Sequence, residues 1–524
     1  MNIMPSVKRD QWERICLLFT ICAFAFKFIL SFTTEFTIDE VYYTVWARHW
    51  QWSYFDHPAA IAWLQRLTTF NGHLMTELTC RIGPMICSVI QALMVFRITE
   101  AISDRKAAWL GVLAYSAMPY GSIISGWMVM PDVPLMTAWL LAMAQMVRIL
   151  QKPEETQFSI SEGVILGITL ALAVSSKVQS LFLGLGIGIL SLHSHRQWWK
   201  KTGWYAAMFI GASGIIPQVW WNIRNGSPMT SYHSSRLGST IHPDHLFSDF
   251  FAGWVYQNPL VMVLLIGGCI LWVKGHPFRT NVFTRLFLFI SMPLLVTFMG
   301  VSLISDSLPH WTGPAYLSLL PMAAAGAMRS ANPIRFLNWT KAGWWLLQGI
   351  MALIVIYAIW FPGSMGDQKM NTRGSGDLTL DFTGWKAWKL PLSDALQQDT
   401  IIGKHPNDVW LLSGFHFPAA QIEFYHAHPL NLRTKVVGEF NSIHNFYYTN
   451  QILGELAPGD NAVWMDITNY DRKLPDALKL AFNRTGETIW IPQIRNGATV
   501  RYLRITPLYN YQGGIPASGL LTKP

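Results

Sequence analysis

The sequence predicts a polytopic α-helical membrane protein of about eleven spans, with amphipathic helices in its first outer loop and a mixed α/β domain at its C-terminal end. Three observations carry that prediction. Charge is scarce, apolar stretches are many and separate, and residues 363–524 change character.

Only 13% of the 524 residues are charged and 51% are hydrophobic, against roughly 25% charged in soluble domains. A single anchor would give one apolar stretch, and a large soluble core would give short ones. The net charge of +9 does not mark a nucleic-acid binder. Lys and Arg fall in short breaks between apolar runs, as cytoplasmic loops do, and no dense basic stripe with interleaved aromatics occurs. Cys16, Cys22, Cys80, Cys87 and Cys269 all lie in or beside apolar stretches. No disulfide framework therefore braces the C-terminal part.

Taken in order, the candidate spans are 12–32, 80–98, 107–125, 133–150, 162–176, 178–192, 203–222, 252–273, 283–304, 314–328 and 343–361. The first is long enough to span and lacks a following small-residue cleavage site, so it reads as an uncleaved helix. Basic residues mark alternate breaks: Lys8, Arg9 and Arg14, then Arg97, Arg105 and Lys106, then Arg148 and Lys152. The series continues with Arg196, Lys200 and Lys201, with Lys274, Arg279 and Arg285, and with Arg329, Arg335 and Lys341. The Lys/Arg bias makes that side cytoplasmic, and an odd number of spans puts the C-terminal part outside. Trp198, Trp199, Trp220, Trp221, Trp344 and Trp360 stand at span ends, where an interfacial belt is expected.

Beyond residue 362, Gly, Asp, Asn and Pro become frequent. The runs Val409-Trp410-Leu411-Leu412 and Ala462-Val463-Trp464-Met465 read as strands, and 475–482 reads as a helix. The division is therefore a transmembrane part over 1–362 and an outer-face domain over 363–524.

The chemistry gathers in the outer breaks. Asp39-Glu40 follow the first span closely, and carboxylates at a membrane edge are costly unless they serve a function. Such a group can deprotonate a hydroxyl or phosphate, or hold a cation. Asp132 opens a span after Pro131. Lys177 is a lone cation between two short apolar runs, and its natural partner in a membrane is a lipid phosphate. The break 223–251 carries Arg224, His233, Arg236, His242 and His245. Its histidines lack a tight helical pair and any Cys, so zinc is disfavoured. Arg236 is its best candidate for a phosphate or an acidic acceptor.

Read whole, Asp39-Glu40-Val41-Tyr42-Tyr43, Trp46-Ala47 and Tyr54-Phe55-Asp56-His57-Pro58 resemble the first outer loop of one superfamily. It comprises the dolichyl-phosphate-mannose protein mannosyltransferases and the bacterial lipid A aminoarabinose and galacturonic acid transferases. The resemblance covers roughly residues 10–330, by order of spans and by these motifs. One departure is Ala59, where many relatives have a second Pro.

The resemblance implies a C-type glycosyltransferase fold and an inverting transfer of sugar from a polyprenyl-phosphate donor to a lipid, glycan or protein acceptor. It implies Asp39 as the base, Glu40 supporting it and Asp132 orienting a substrate. Lys177, Arg236, His310, Trp311, His57 and Tyr43 fall on the donor and phosphate side; relatives carry a Lys at a similar turn and a Trp before a Pro-Ala-Tyr-like helix start. No cofactor is required. If a divalent cation binds, Asp39 and Asp132 are its oxygen ligands. No outer break holds the large inserted domain of the eukaryotic members, which points to a bacterial inner membrane, with a cytoplasmic N-terminus and a periplasmic C-terminal domain.

Two rivals belong to other classes. A transporter or flippase of a lipid-linked sugar would set its polar residues at the bilayer midplane within inverted repeats, and none is visible. A scaffold would leave Asp39 dispensable.

Overall fold

The computed structural model describes residues 9–229, 243–305, 308–398 and 409–521, and the chain forms two compact units. The first comprises the chain up to Ile29, Trp52–Phe70 and Leu78–Ile350. The second comprises Leu30–Gln51, Asn71–Glu77 and the chain from Met351 on.

The first unit is helical. Among the described residues, Gln11–Thr33, Glu77–Ile102, Asp132–Leu150, Val282–Ser302 and Pro333–Trp360 are each long and apolar enough to cross a membrane. Phe247–Gln257 and Pro259–Gly275 meet at a 94° bend. Pro259 disfavours helical backbone at Asn258, which takes φ +67° and spends its amide on the carbonyls of Ala117 and Gly343. Shorter apolar helices cover Arg105–Ala117, Ile160–Val174, Ser180–Ser194, Thr202–Ser213 and Gly313–Ala327.

Each apolar stretch of the sequence thus contains a helix, but three expected as single spans are broken, 252–273 at the Asn258 bend just described and two others. The stretch 107–125 ends its α-helix at Ala117, and a π-helical turn, Tyr120–Ile124, follows Pro119. The stretch 203–222 divides into Thr202–Ser213 and Ile216–Arg224, with Pro217 at the start of the second.

Small residues let these helices touch. A Cβ on Gly163 would fall 1.8 Å from the Gly203 carbonyl oxygen, and one on Gly326 would fall 1.9 Å from that of Gly268. Such contact is the means by which apolar helices pack when lipid tails are as apolar as their side chains. The expected tryptophan belt is only partly one. Trp199, Trp220 and Trp360 are exposed, whereas Trp198, Trp221 and Trp344 are buried. Trp198 donates to Gln157 Oε1 at 2.8 Å, so it serves packing.

The second unit is built on a six-stranded sheet. Its strands are β1 (Val409–Ser413), β2 (Arg433–Val436), β3 (Asn461–Ile467), β4 (Phe482–Thr485), β5 (Ile489–Arg495) and β6 (Ala498–Tyr511). The order is β2-β1-β3-β6-β4, with β5 also on β6. β1 runs parallel to β2 and β3, and β6 is antiparallel to β3. Parallel pairs need crossovers, supplied here by helices that include His416–Ile422 and Phe446–Leu453. Every residue of β1 is buried, as a central parallel strand requires. Arg495 of β5 pairs with Asp377 at 2.9 Å, both buried, and ties the Gly-rich segment after residue 363 to the sheet. The strands expected at 409–412 and 462–465 and the helix near 475–482 all form, the last as Asp476–Leu480.

Candidate active site

In the first unit, Asp132 is the first residue of the helix Asp132–Leu150. Pro131 precedes it, leaving no side-chain cap on the helix. The Asp132 carboxylate instead turns to two partners. Lys177 Nζ donates to Oδ2 at 2.8 Å, and the Tyr120 hydroxyl donates to Oδ1 at 3.0 Å. All three side chains are almost fully buried.

Lys177 reaches this place because the chain turns between Ile160–Val174 and Ser180–Ser194. Lys177, which the sequence offers to a lipid phosphate, is paired in the structure with Asp132, and both side chains are almost fully buried. An ion pair held this deep gives little net stability, but losing one member strands a buried charge.

Two further elements meet the turn. The loop carrying His57 folds back on itself, with Tyr54 N donating to the His57 carbonyl at 3.2 Å. Ala60, just after His57-Pro58, donates its N–H to the Ser175 carbonyl at 3.0 Å, docking that loop on the Lys177 turn. His310 lies in the short 3-10 turn Pro309–Thr312. Burial first, and the Lys177 ammonium second, push His310 down to about 4, with Asp132 pulling the other way. It is neutral at pH 7 and offers a hydrogen bond rather than a charge. Trp311 packs against Phe298 with ring centres 5.5 Å apart. The structure thus gathers Asp132, Lys177 and His310, with the His57 loop docked at the turn. Arg236 lies outside the described residues.

Asp39, Glu40 and Tyr43 belong to the second unit. Their helix, Ile38–Val45, starts with a capping box. Glu40 N bonds Thr37 Oγ1 at 3.4 Å, while Thr37 N donates to Glu40 Oε2 at 3.1 Å. Two N–H groups that a helix start leaves unpaired are satisfied this way. Glu40 is fully buried and engaged in the cap, whereas Asp39 is half-exposed. Tyr43 is packed against Tyr42 and Trp46, with ring centres 5.3 and 4.9 Å away.

The helix is seated within its unit by side chains of the C-terminal region. Gln421 Nε2 donates to the Phe36 carbonyl at 3.0 Å, Phe36 N to the Tyr425 hydroxyl at 2.9 Å, and Asn445 N to the Tyr42 hydroxyl at 3.3 Å. The Tyr470 hydroxyl donates to Asp381 at 2.9 Å. Burial first, then Asp381 and also the Asp39 carboxylate, push Tyr470 up. Burial likewise raises Asp381. Among the described residues, no three His, Cys, Asp or Glu side chains gather as metal ligands.

The sequence reading missed two members of this arrangement. Tyr120 is hidden in an apolar run, and only its nearness to Pro119 hinted at a break. Lys27 sits inside the first span and is 1% exposed; a single cation among so many apolar residues leaves the run readable as a helix.

Residues 56–221 match the family described as dolichyl-phosphate-mannose-protein mannosyltransferase, a segment that contains His57, Asp132 and Lys177. The chain is 22% identical over 340 residues to the lipid A galacturonosyltransferase RgtD of Rhizobium johnstonii, covering 63% of this chain and 67% of that one. Its fold is similar to that of ArnT from Cupriavidus metallidurans, in the apo state at a TM-score of 0.57 and 13% identity. ArnT bound to undecaprenyl phosphate gives the same TM-score at 15% identity, with 93% of this chain and 97% of that chain covered in both cases. These likenesses support the glycosyltransferase expected from sequence, through the family match and RgtD, and its expected fold, through ArnT.

Proposed function

We propose that this enzyme transfers a glycosyl group from a polyprenyl-phosphate sugar to a lipid acceptor at the outer face of a bacterial inner membrane. The observation that carries the reading is the Lys177–Asp132 pair, a buried cation and carboxylate at a helix start within the mannosyltransferase-like segment 56–221. A lipid acceptor is favoured over glycan or protein because a curated relative acts on lipid A by name.

The reaction is an inverting displacement. The acceptor hydroxyl attacks the anomeric carbon, its proton passes to Asp39, and the bond from that carbon to the phosphate oxygen breaks. Lys177, with Arg236 or His310 and with His57, offsets the charge that grows on the departing phosphate. Asp132 holds Lys177 and orients a substrate, and Glu40 holds the helix that presents Asp39. Trp311 and Tyr43 have packing partners that leave them a supporting part on the donor side. If a divalent cation takes part, Asp39 or Asp132 would be among its ligands.

The topology that accompanies this reading has about eleven spans, with the N-terminus cytoplasmic and 363–524 a domain on the periplasmic side. The basic breaks support it. The flippase alternative is not favoured. Purified protein in liposomes, given a labelled polyprenyl-phosphate sugar and a lipid A-like acceptor, should form labelled acceptor and free polyprenyl phosphate. Movement of intact donor across the bilayer without new product would replace the transferase with the flippase.

A further inference from the structure

We propose that Lys27, in the first span, is a positioning residue for the Asp132 centre, acting through the π-helical turn that carries Tyr120. The inference rests on the transferase reading above and extends it to a residue outside the reacting groups.

The geometry is continuous within one unit. Lys27 Nζ donates to the Ser122 carbonyl at 3.1 Å, with Ser88 Oγ at 3.5 Å. Ser122 lies within the π-helical turn Tyr120–Ile124, and Tyr120 is the residue that donates to Asp132. A second clamp reaches the end of the same turn. Ser88 Oγ meets the Tyr115 hydroxyl at 2.8 Å, and that hydroxyl donates to Gln91 Oε1 at 3.1 Å. Gln91 Nε2 donates to the Ser125 carbonyl at 2.7 Å and lies 3.3 Å from that of Val133. Lys27 and its network therefore grip Ser122, Ser125 and the first turn of the Asp132 helix together.

The chemistry explains why a strong donor is used here. A π-helical turn opens the regular ladder and leaves carbonyls in need of donors, and such turns recur at functional sites. In a low-dielectric interior a charged donor bonds a carbonyl more strongly than a neutral one. A buried ammonium in an apolar span is costly by itself, so a methionine of similar length would suit packing equally well. The Lys27 Nζ donor at this place holds the turn, and with it the Tyr120 hydroxyl, against one Asp132 oxygen while Lys177 holds the other.

The test is a double-mutant cycle with Lys27→Met and Tyr120→Phe, read as kcat and donor KM per folded protein in the transfer assay, with melting temperatures alongside. Lys27→Met should lower kcat about tenfold with donor KM within about twofold and no fall in melting temperature. Adding it to Tyr120→Phe should bring no further loss, because both act through one turn. Lys27→Gln, which keeps a shorter donor, carries the same cycle if the methionine variant does not fold. An unchanged kcat, a kcat loss that only tracks a lowered melting temperature, or losses that multiply in the double variant would overturn the inference and leave the transferase reading intact. A wild type without transfer would overturn both.

Discussion

The two units treat their carboxylates in opposite ways. Asp132 is sealed, with one oxygen on Lys177 and the other on Tyr120, and the pair is away from solvent. Asp39 is half-exposed at the start of a short helix whose capping duty falls to its neighbour Glu40. A buried ion pair is a fixed electrostatic element, whereas the Asp39 carboxylate stands half-buried on a helix braced at its start by the Thr37–Glu40 cap. Of the two adjacent acids, Glu40 takes part in the helix cap, and Asp39 is the one we propose as the base.

The largest effect should come from breaking the sealed pair on one side only. Lys177→Met strands the Asp132 charge and should cost about 3–5 kcal/mol, read as a fall in detergent melting temperature together with loss of transfer. Replacing both members, Lys177→Met with Asp132→Leu, should recover most of that stability without recovering transfer. Recovered transfer would make the pair a packing device.

A smaller effect belongs to His310, whose folded value near 4 lies below its ordinary 6.5. The folded state favours the neutral ring, so its contribution is present above pH 6.5 and is lost as pH falls from 6.5 towards 4. Melting temperature measured across that window should decline, and His310→Gln should flatten the decline. The smallest effect is expected at the brace of the Asp39 helix. Glu40→Ala removes half of the capping box and should cost about 1 kcal/mol. Transfer should weaken with it but not vanish, and complete loss at full stability would give Glu40 a direct chemical part.

Much of this was legible in the sequence because it is local. Apolar runs located the long helices of the first unit, and buried β-branched and aromatic runs located β1 and β3. Asp39, Asp132 and Lys177 stood out because ionisable residues at a membrane edge need a reason. What escaped depends on contacts distant in sequence. Lys177 bonds a residue 45 positions away. Phe36, just before the Asp39 helix, bonds the side chains of Tyr425 and Gln421, and Tyr42 in the helix bonds the Asn445 N–H 403 positions on, so the helix's membership of the second unit had no local signature. The split of 107–125 was marked only by Pro119, and the long β6 carries Arg501 and Arg504, which hide its alternation. Glu40 and Asp39 differ in the structure by the Thr37 cap, which engages Glu40.

The most direct measurement is single-turnover transfer by purified wild type and Asp39→Asn, with donor pre-bound and folded protein matched. Wild type should pass its labelled sugar to the acceptor, and Asp39→Asn should bind the donor equally well yet transfer about a thousandfold more slowly. Equal rates in the two proteins would contradict the assignment of Asp39 as the base.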